Sequence, residues 1–462
     1  MKVMKAMKIM KAKALVLIGV IFALALTVSA EEVAVTVYNS NLGVVSEVRQ
    51  LDLAKGVNEL SFRDVPSQID ANSVRFDVIG AEKDVAILEQ NYVFDLVSPE
   101  QMYKKYIDQT IDLVDKEGRL YSGQLLAYSH NSVTLLDSSG KVKIVGLDNI
   151  TEVNFPALPD GLITKPTLFW KYQSDISGKR DCRVGYQTNG MNWSAEYVAV
   201  LNQKETGIDL SGWAAINNTS GKTYTDAKLK LVAGDINRIQ QPMIRGGRTD
   251  ESIMLSAAPK AAGFEEKAFF EYHLYTLPRK ATLADKEIKQ ISLFEPASTS
   301  VKKVYLYEPE KDAENVKVKV EFTNAKANGL GIPLPAGRVR MFKADDDGSL
   351  IMLGEDEIEH TPRDEKVDLT VGDAFDIVAE QTMANRTRVS DRVEDRQFKI
   401  ELRNRKKEDV TIAVEKKLWG FWEVTTSSHQ SVKKDANTLR FEVPVKAEST
   451  VTVDFTVRFT NR

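Results

Sequence analysis

Alternation is the feature that most constrains this chain. In "EVAVTVY" the residues Val33, Val35 and Val37 fall on one face. In "NVKVKVEF" Val316, Val318, Val320 and Phe322 oppose Lys317, Lys319 and Glu321, and in "TVTVDFTVRF" Val451, Val453, Phe455, Val457 and Phe459 alternate with Thr452, Asp454, Thr456 and Arg458. A period of two points successive side chains to opposite faces, so these stretches predict antiparallel sheets with one face packed and the other solvated. The stretch "DCRVGYQTNGMNWSAEYVAV" predicts a hairpin closed by a type I′ turn at Asn189-Gly190. Helical spacing is confined to "SPEQMYKKYID". There Ser98 can cap, Pro99 suits the first helical position, Gln101 completes a capping box, and Tyr103 and Ile107 share a face. The expected class is all-β, with tandem antiparallel β-sandwich-like domains.

The first thirty residues read as an address. Lys2, Lys5, Lys8, Lys11 and Lys13 form a basic region, 14–26 is apolar, and Val28-Ser29-Ala30 offers the small residues of a cleavage site. The apolar run is shorter than the roughly 20 residues of a spanning helix, so a signal peptide over 1–30 is expected, with an uncleaved anchor as the alternative. Export to the periplasm, envelope or exterior follows. The whole chain carries 62 basic and 66 acidic residues. Without the five leader lysines the balance is 57 against 66, a net charge of -9. Such a chain is a poor nucleic-acid partner. After signal cleavage no apolar segment is expected to span a bilayer. Cys182 is the only cysteine, so no internal disulfide can form and stability must come from packing.

Organisation follows from where the pattern changes. After the helical stretch, 110–155 reads as five short strands, with turns at Glu117-Gly118, His130-Asn131, Ser139-Gly140 and Asp148-Asn149. A helix followed by five bent strands resembles an Sm-like or SH3-like small barrel. The Asp/Asn pair and Arg-Gly that Sm proteins use on RNA are missing from "AYSHNS" and "VGLDN". From 238 to 268 the periodicity lapses, which predicts a loop or linker. The expected layout is a first β-domain over 31–97, a small-barrel insertion over 98–158, the first domain continued over 159–237, the linker over 238–268, and a C-terminal sandwich over 269–462.

Chemistry is sparse. "MFKADDDGSLIML" invites an EF-hand reading. With Gly348 at position 6, however, Lys343 falls at position 1 and Gly354 at position 12, where ligands are required. A hairpin turn at Asp347-Gly348 is expected instead. In "EDEIEH" Glu355, Glu357 and Glu359 share a face, which reads as a solvated strand. Gly221-Lys222-Thr223 lacks the glycine and following helix of a phosphate loop, because Ile216 occupies the glycine position. No nucleophile elbow or zinc pair occurs, and His130, His273, His360 and His429 are scattered. No catalytic residue, metal ligand or cofactor is therefore assigned. The aromatic cluster Trp419, Phe421 and Trp422 in "LWGFWEV" is the candidate ligand-binding set, against a packed strand edge as the plainer alternative.

Several stretches occur in the order of a known family: "YQTNGMNWSAEYVAVLN", "LSGWAAINNTSGKTYTDAKLKLVAGDIN", "YTLPRKATLADKEIKQISLF" and "LPAGRVRMFKADDDGSLIMLGEDEIEHTPRDEKVDLTVGDAFDI". Together they resemble the uncharacterised C-terminal domain of mucoidy-inhibitor-type bacterial proteins. The long coiled coil common in those proteins is missing, and the small barrel stands near its place. The resemblance implies export and a β-rich fold and carries no activity. The functional expectation is a non-catalytic envelope binding or scaffolding protein acting on an envelope protein or polysaccharide. The alternatives are a hydrolase assembled from distant loops and sugar binding through exposed aromatics.

Overall fold

The computed structural model describes residues 32–157, 162–234, 236, 264–269 and 272–460. The expected signal peptide lies outside the described residues, as does most of the expected linker. Residues 265–268 of that linker belong to a strand, Glu265–Phe269.

The alternating stretches form strands with the expected faces. Glu32–Tyr38 buries Val33, Val35 and Val37, and Thr450–Thr460 buries Val453, Phe455 and Val457. The chain is all-β, with mostly antiparallel sheets. An eight-stranded sheet faces a six-stranded sheet across one core. Val35, Val45, Tyr186 and Leu229 come from the first sheet, and Trp193, Tyr197 and Ile216 from the second. The Trp193 indole N–H crosses this interface to the Val232 carbonyl at 3.0 Å. A third sheet of three strands adds Phe62, Leu168 and Trp170. This core runs from Val33 to Leu369 in sequence, straight past the 238–268 segment.

The expected hairpin at Asn189-Gly190 is corrected by the pairing. Gly178–Thr188 pairs with Gly43–Leu53 and Ile69–Val78, whereas Met191–Leu201 pairs with Gly207–Asn218 and Gly337–Ala344. The turn moves the chain from one sheet to the other. A type I′ turn needs positive φ at both central residues, and only Gly190 has it, at 78°. Asn41 instead holds the turn open, its side-chain oxygen accepting the Gly190 N–H at 2.8 Å.

Between strands Val85–Val93 and Thr167–Ser174 lies the inserted unit. Its helix Pro99–Lys105 is capped by Ser98, which accepts the Gln101 N–H. Tyr103 and Tyr106 are the buried anchors. Ile107, expected beside Tyr103, lies past the end of the helix and is largely exposed. Five antiparallel strands follow, with Thr110–Asp115 between Ile150–Asn154 and Leu120–Ser129, the last of these being the middle strand of the sheet. Ile111, Leu113, Leu125, Val133 and Leu135 make a separate small core.

The C-terminal sheet has nine strands and encloses its own core around Phe398, Phe441 and Phe455. Two strands join the cores. Asn315–Thr323 gives Val320 and Phe322 to the first core and Val316 to the second. Lys366–Ser390 likewise gives Val367 and Leu369 to the first and Ile377 and Ala379 to the second.

Candidate functional site

Because Val316, Val320 and Phe322 point inward, Lys319 and Glu321 must point to the outer face of the nine-stranded sheet. The same logic turns Lys302, Val304 and Leu306 outward from Lys302–Tyr307, and Ala413, Glu415 and Lys417 outward from Val410–Lys417. Of these, all but the buried Ala413 line a groove of about 570 Å³ across the back of the junction between the two cores. Its floor is Val304 and Leu306, which pack with Ala413 in a small apolar cluster that is buried although it lies on the outer face. Long charged side chains stand over such a floor with their stems against it and their heads in water.

The groove carries seven lysines and arginines against four carboxylates, on a chain that is acidic as a whole. Its walls are ion pairs. Glu415 is 6 % exposed and receives Lys434 at 2.7 Å and Arg440 at 2.5 Å. Burial pushes the Glu415 carboxyl up, yet these two hydrogen bonds outweigh it and hold the group below its ordinary range. On the opposite side Lys366 binds Glu321 at 2.8 Å and lies 3.6 Å from Asp368. Burial pulls the Lys366 ammonium down, and the two carboxylates lift it above its ordinary value. Lys302 and Lys319 have no carboxylate partner among the described residues.

A second charged cluster is closed. Glu47 sits at an inward position of strand Gly43–Leu53 and is 1 % exposed. Lys222 reaches its Oε1 at 2.5 Å, Tyr186 donates its hydroxyl to the same oxygen, and Arg49 Nε donates to Oε2 at 3.0 Å. Burial pushes Glu47 up, but Lys222 and Arg49 hold it below the carboxylate range. Burial lowers Lys222, reinforced by the nearby Arg49 charge, against the pull of Glu47. Both groups thus shift downward, Glu47 because two cations surround it and Lys222 chiefly because it is buried. None of the four lines the groove, and the cluster reads as a structural lock.

The sequence candidates disperse. Trp419 and Phe421 are exposed, at 66 % and 56 %. Trp422 is half-buried against the C-terminal core, and its indole N–H donates to the Ala436 carbonyl at 2.9 Å. The Lys433 ammonium lies 4.3 Å from its ring centre. The three aromatics therefore do not share one free face. Asp347-Gly348 forms the turn of an antiparallel hairpin, with Gly348 at φ 85°. Glu355, Glu357 and Glu359 are exposed, and no group of metal-ligating residues forms among the described residues. His273 touches Glu266 at 2.8 Å, His360 accepts the Ala336 N–H, and His429 meets Ser428. Cys182 is buried, and burial pushes its thiol up to about 11. Sequence reasoning missed the roles of Glu47 and Lys222, read Lys319 as the polar face of an alternating strand, and did not single out Lys302 or Lys417. The available signal was a carboxylate at an inward strand position, after Val45.

Fold and site define an all-β protein of packed antiparallel sheets, with a charged groove on its last sheet. The family described as "Domain of unknown function (DUF4139)" matches residues 182–461, more than half of the sequence, and the chain belongs to it. A second match, "N-terminal domain of unknown function (DUF4140)", covers residues 35–127. Comparison with curated proteins returned no match. Among the described residues no helix is long and apolar enough to cross a membrane.

Proposed function

We propose that this chain is an exported, non-catalytic binding or scaffolding protein of the cell envelope, and that the groove on the nine-stranded sheet is its contact surface. The groove supports this reading because it concentrates positive charge on an acidic protein over a small apolar floor, the composition of a recognition surface. Two strands that contribute to both cores carry part of that surface. The basic and apolar leader supports export. The likeness to the C-terminal domain of mucoidy-inhibitor-type proteins fits an envelope role. The inserted unit, read as an Sm/SH3-like small barrel, would be an accessory module.

The test is cell fractionation of the tagged chain, followed by cross-linking and pull-down from intact envelopes. Wild type and a Lys302→Glu/Lys319→Glu variant would be compared. Export with partners lost in the variant is the expected outcome. A cytosolic chain, or an unchanged partner set, would overturn the proposal. A second reading, sugar binding, is favoured by the exposure of Trp419 and Phe421. On that reading Trp419→Ala would abolish signals on a glycan array.

A further inference from the structure

The sheet order gathers cations from six separate strands. Crossing the sheet, strands Lys366–Ser390, Asn315–Thr323, Lys302–Tyr307, Val410–Lys417, Thr438–Val445 and Ser431–Asp435 are successive neighbours. Each places one lysine or arginine in the groove. Register sets them on a diagonal. Lys302 lies opposite Glu321, Val304 opposite Lys319, Leu306 opposite Ala413, and Glu415 opposite Arg440. The two lysines without carboxylate partners therefore bracket Val304, one along its own strand and one directly across from it.

We infer that the groove takes an extended acidic peptide in which carboxylates flank an aliphatic side chain. This rests on the reading of the groove as the contact surface. Lys302 and Lys319 supply the charges such a peptide would meet, and Val304 and Leu306 supply the apolar seat between them. A polymer bearing one negative charge on every unit fits less well, because Glu308, Glu321, Asp368 and Glu415 stand among the cations and would repel it. No aromatic ring lines the groove, so the stacking surface that a sugar ring or base would use is missing. The strands under the floor are paired on both sides, so recognition runs through side chains and not through strand addition.

The experiment titrates the full mature chain into a fluorescein-labelled nonapeptide, Glu-Leu-Glu repeated three times, read by fluorescence anisotropy. The controls are the Gln-Leu-Gln isostere and a labelled oligouronate. The variant Lys302→Gln/Lys319→Gln is compared with Lys179→Gln, an exposed lysine of the eight-stranded sheet. Both variants alter partly or fully exposed side chains, and unchanged circular dichroism melts check their folds. We expect binding of the acidic peptide that weakens about tenfold in the double variant. It should also weaken with salt and with the Gln isostere, and it should be unaffected by Lys179→Gln. Peptide binding that ignores Lys302 and Lys319, or no peptide binding, overturns the inference. Oligouronate binding that depends on those two lysines, without peptide binding, overturns it in favour of a sugar ligand. If the envelope pull-down still depends on the two lysines while the peptide fails, the contact surface stands and only its ligand class falls. If both fail, the surface falls too.

Discussion

Replacing Lys222 by methionine tests whether the closed charge cluster locks the first core. The substitution keeps an unbranched side chain, one atom shorter, and removes one cation from a carboxylate that is 1 % exposed. Breaking a buried ion pair from one side costs about 3–5 kcal/mol. Arg49 and Tyr186 still hold Glu47, so the low end, about 3 kcal/mol, applies. The C-terminal sheet has its own core, so a whole-molecule melt would blur the effect. Hydrogen exchange with mass spectrometry reads it locally. Peptides from 43–53 and 207–233 should lose about a hundredfold in protection, while peptides from 410–460 stay unchanged. Adding Glu47→Gln to Lys222→Met should cost less than the sum of the two single changes, because the stranded charge is gone. Acidity supplies the sign. The folded pKa of Glu47 lies below its ordinary 4.5. Its contribution is therefore complete above that value and fades as the pH falls through the folded value. Protection unchanged in Lys222→Met, or strict additivity in the double variant, would refute the lock.

Other consequences can be checked directly. Glu205 receives Lys303 from the nine-stranded sheet and Lys343, at 2.7 Å, from the six-stranded sheet. Burial raises its carboxyl, but the two lysines bring it down to about 2. Glu205→Gln should cost about 1 kcal/mol at neutral pH, discounted for exposure. Urea midpoints of variant and wild type should converge as the pH falls from 4.5 towards 2. Asn404 is fully buried and donates to the carbonyls of Glu408 and Lys446 at 2.8 and 3.0 Å. Asn404→Leu leaves those acceptors unmet and should destabilise the C-terminal core by about 2–3 kcal/mol, seen as earlier loss of tryptophan fluorescence in urea. Cys182 should resist iodoacetamide in the native chain at pH 8 and react fully in urea, as counted by mass spectrometry.

Much of the fold was legible because alternation is a local signal. Val33 to Val37 and Val453 to Val457 each declare their buried face within a few residues. The helix was legible for the same reason, since Ser98, Pro99 and Gln101 lie within one turn. The partner of a strand is a different matter. Asn189-Gly190 reads the same whether its flanks pair together or part into facing sheets, and the φ of Asn189 decides. The groove was hidden more deeply. Lys319 sits on a polar strand face and Lys302 and Lys417 on mixed ones, and only a sheet order that interleaves distant segments makes them neighbours. Glu47 carried a visible oddity, a carboxylate on an inward position. Its partner Lys222 lies 175 residues away, beyond any local pattern.

The route into and out of the inserted unit has a consequence for descent. Strands Val85–Val93 and Thr167–Ser174 pair directly, with Val93 opposite Thr167. Beyond them the Val97 N–H donates to the Ile163 carbonyl at 3.0 Å, and the Ile163 N–H donates to the Asp95 carbonyl at 3.1 Å. Departure and return thus occur side by side, as at the tip of an ordinary hairpin. Such a place works as a socket. Whatever is plugged in there can be swapped over generations without rethreading the sheets on either side, so one scaffold can carry different attachments.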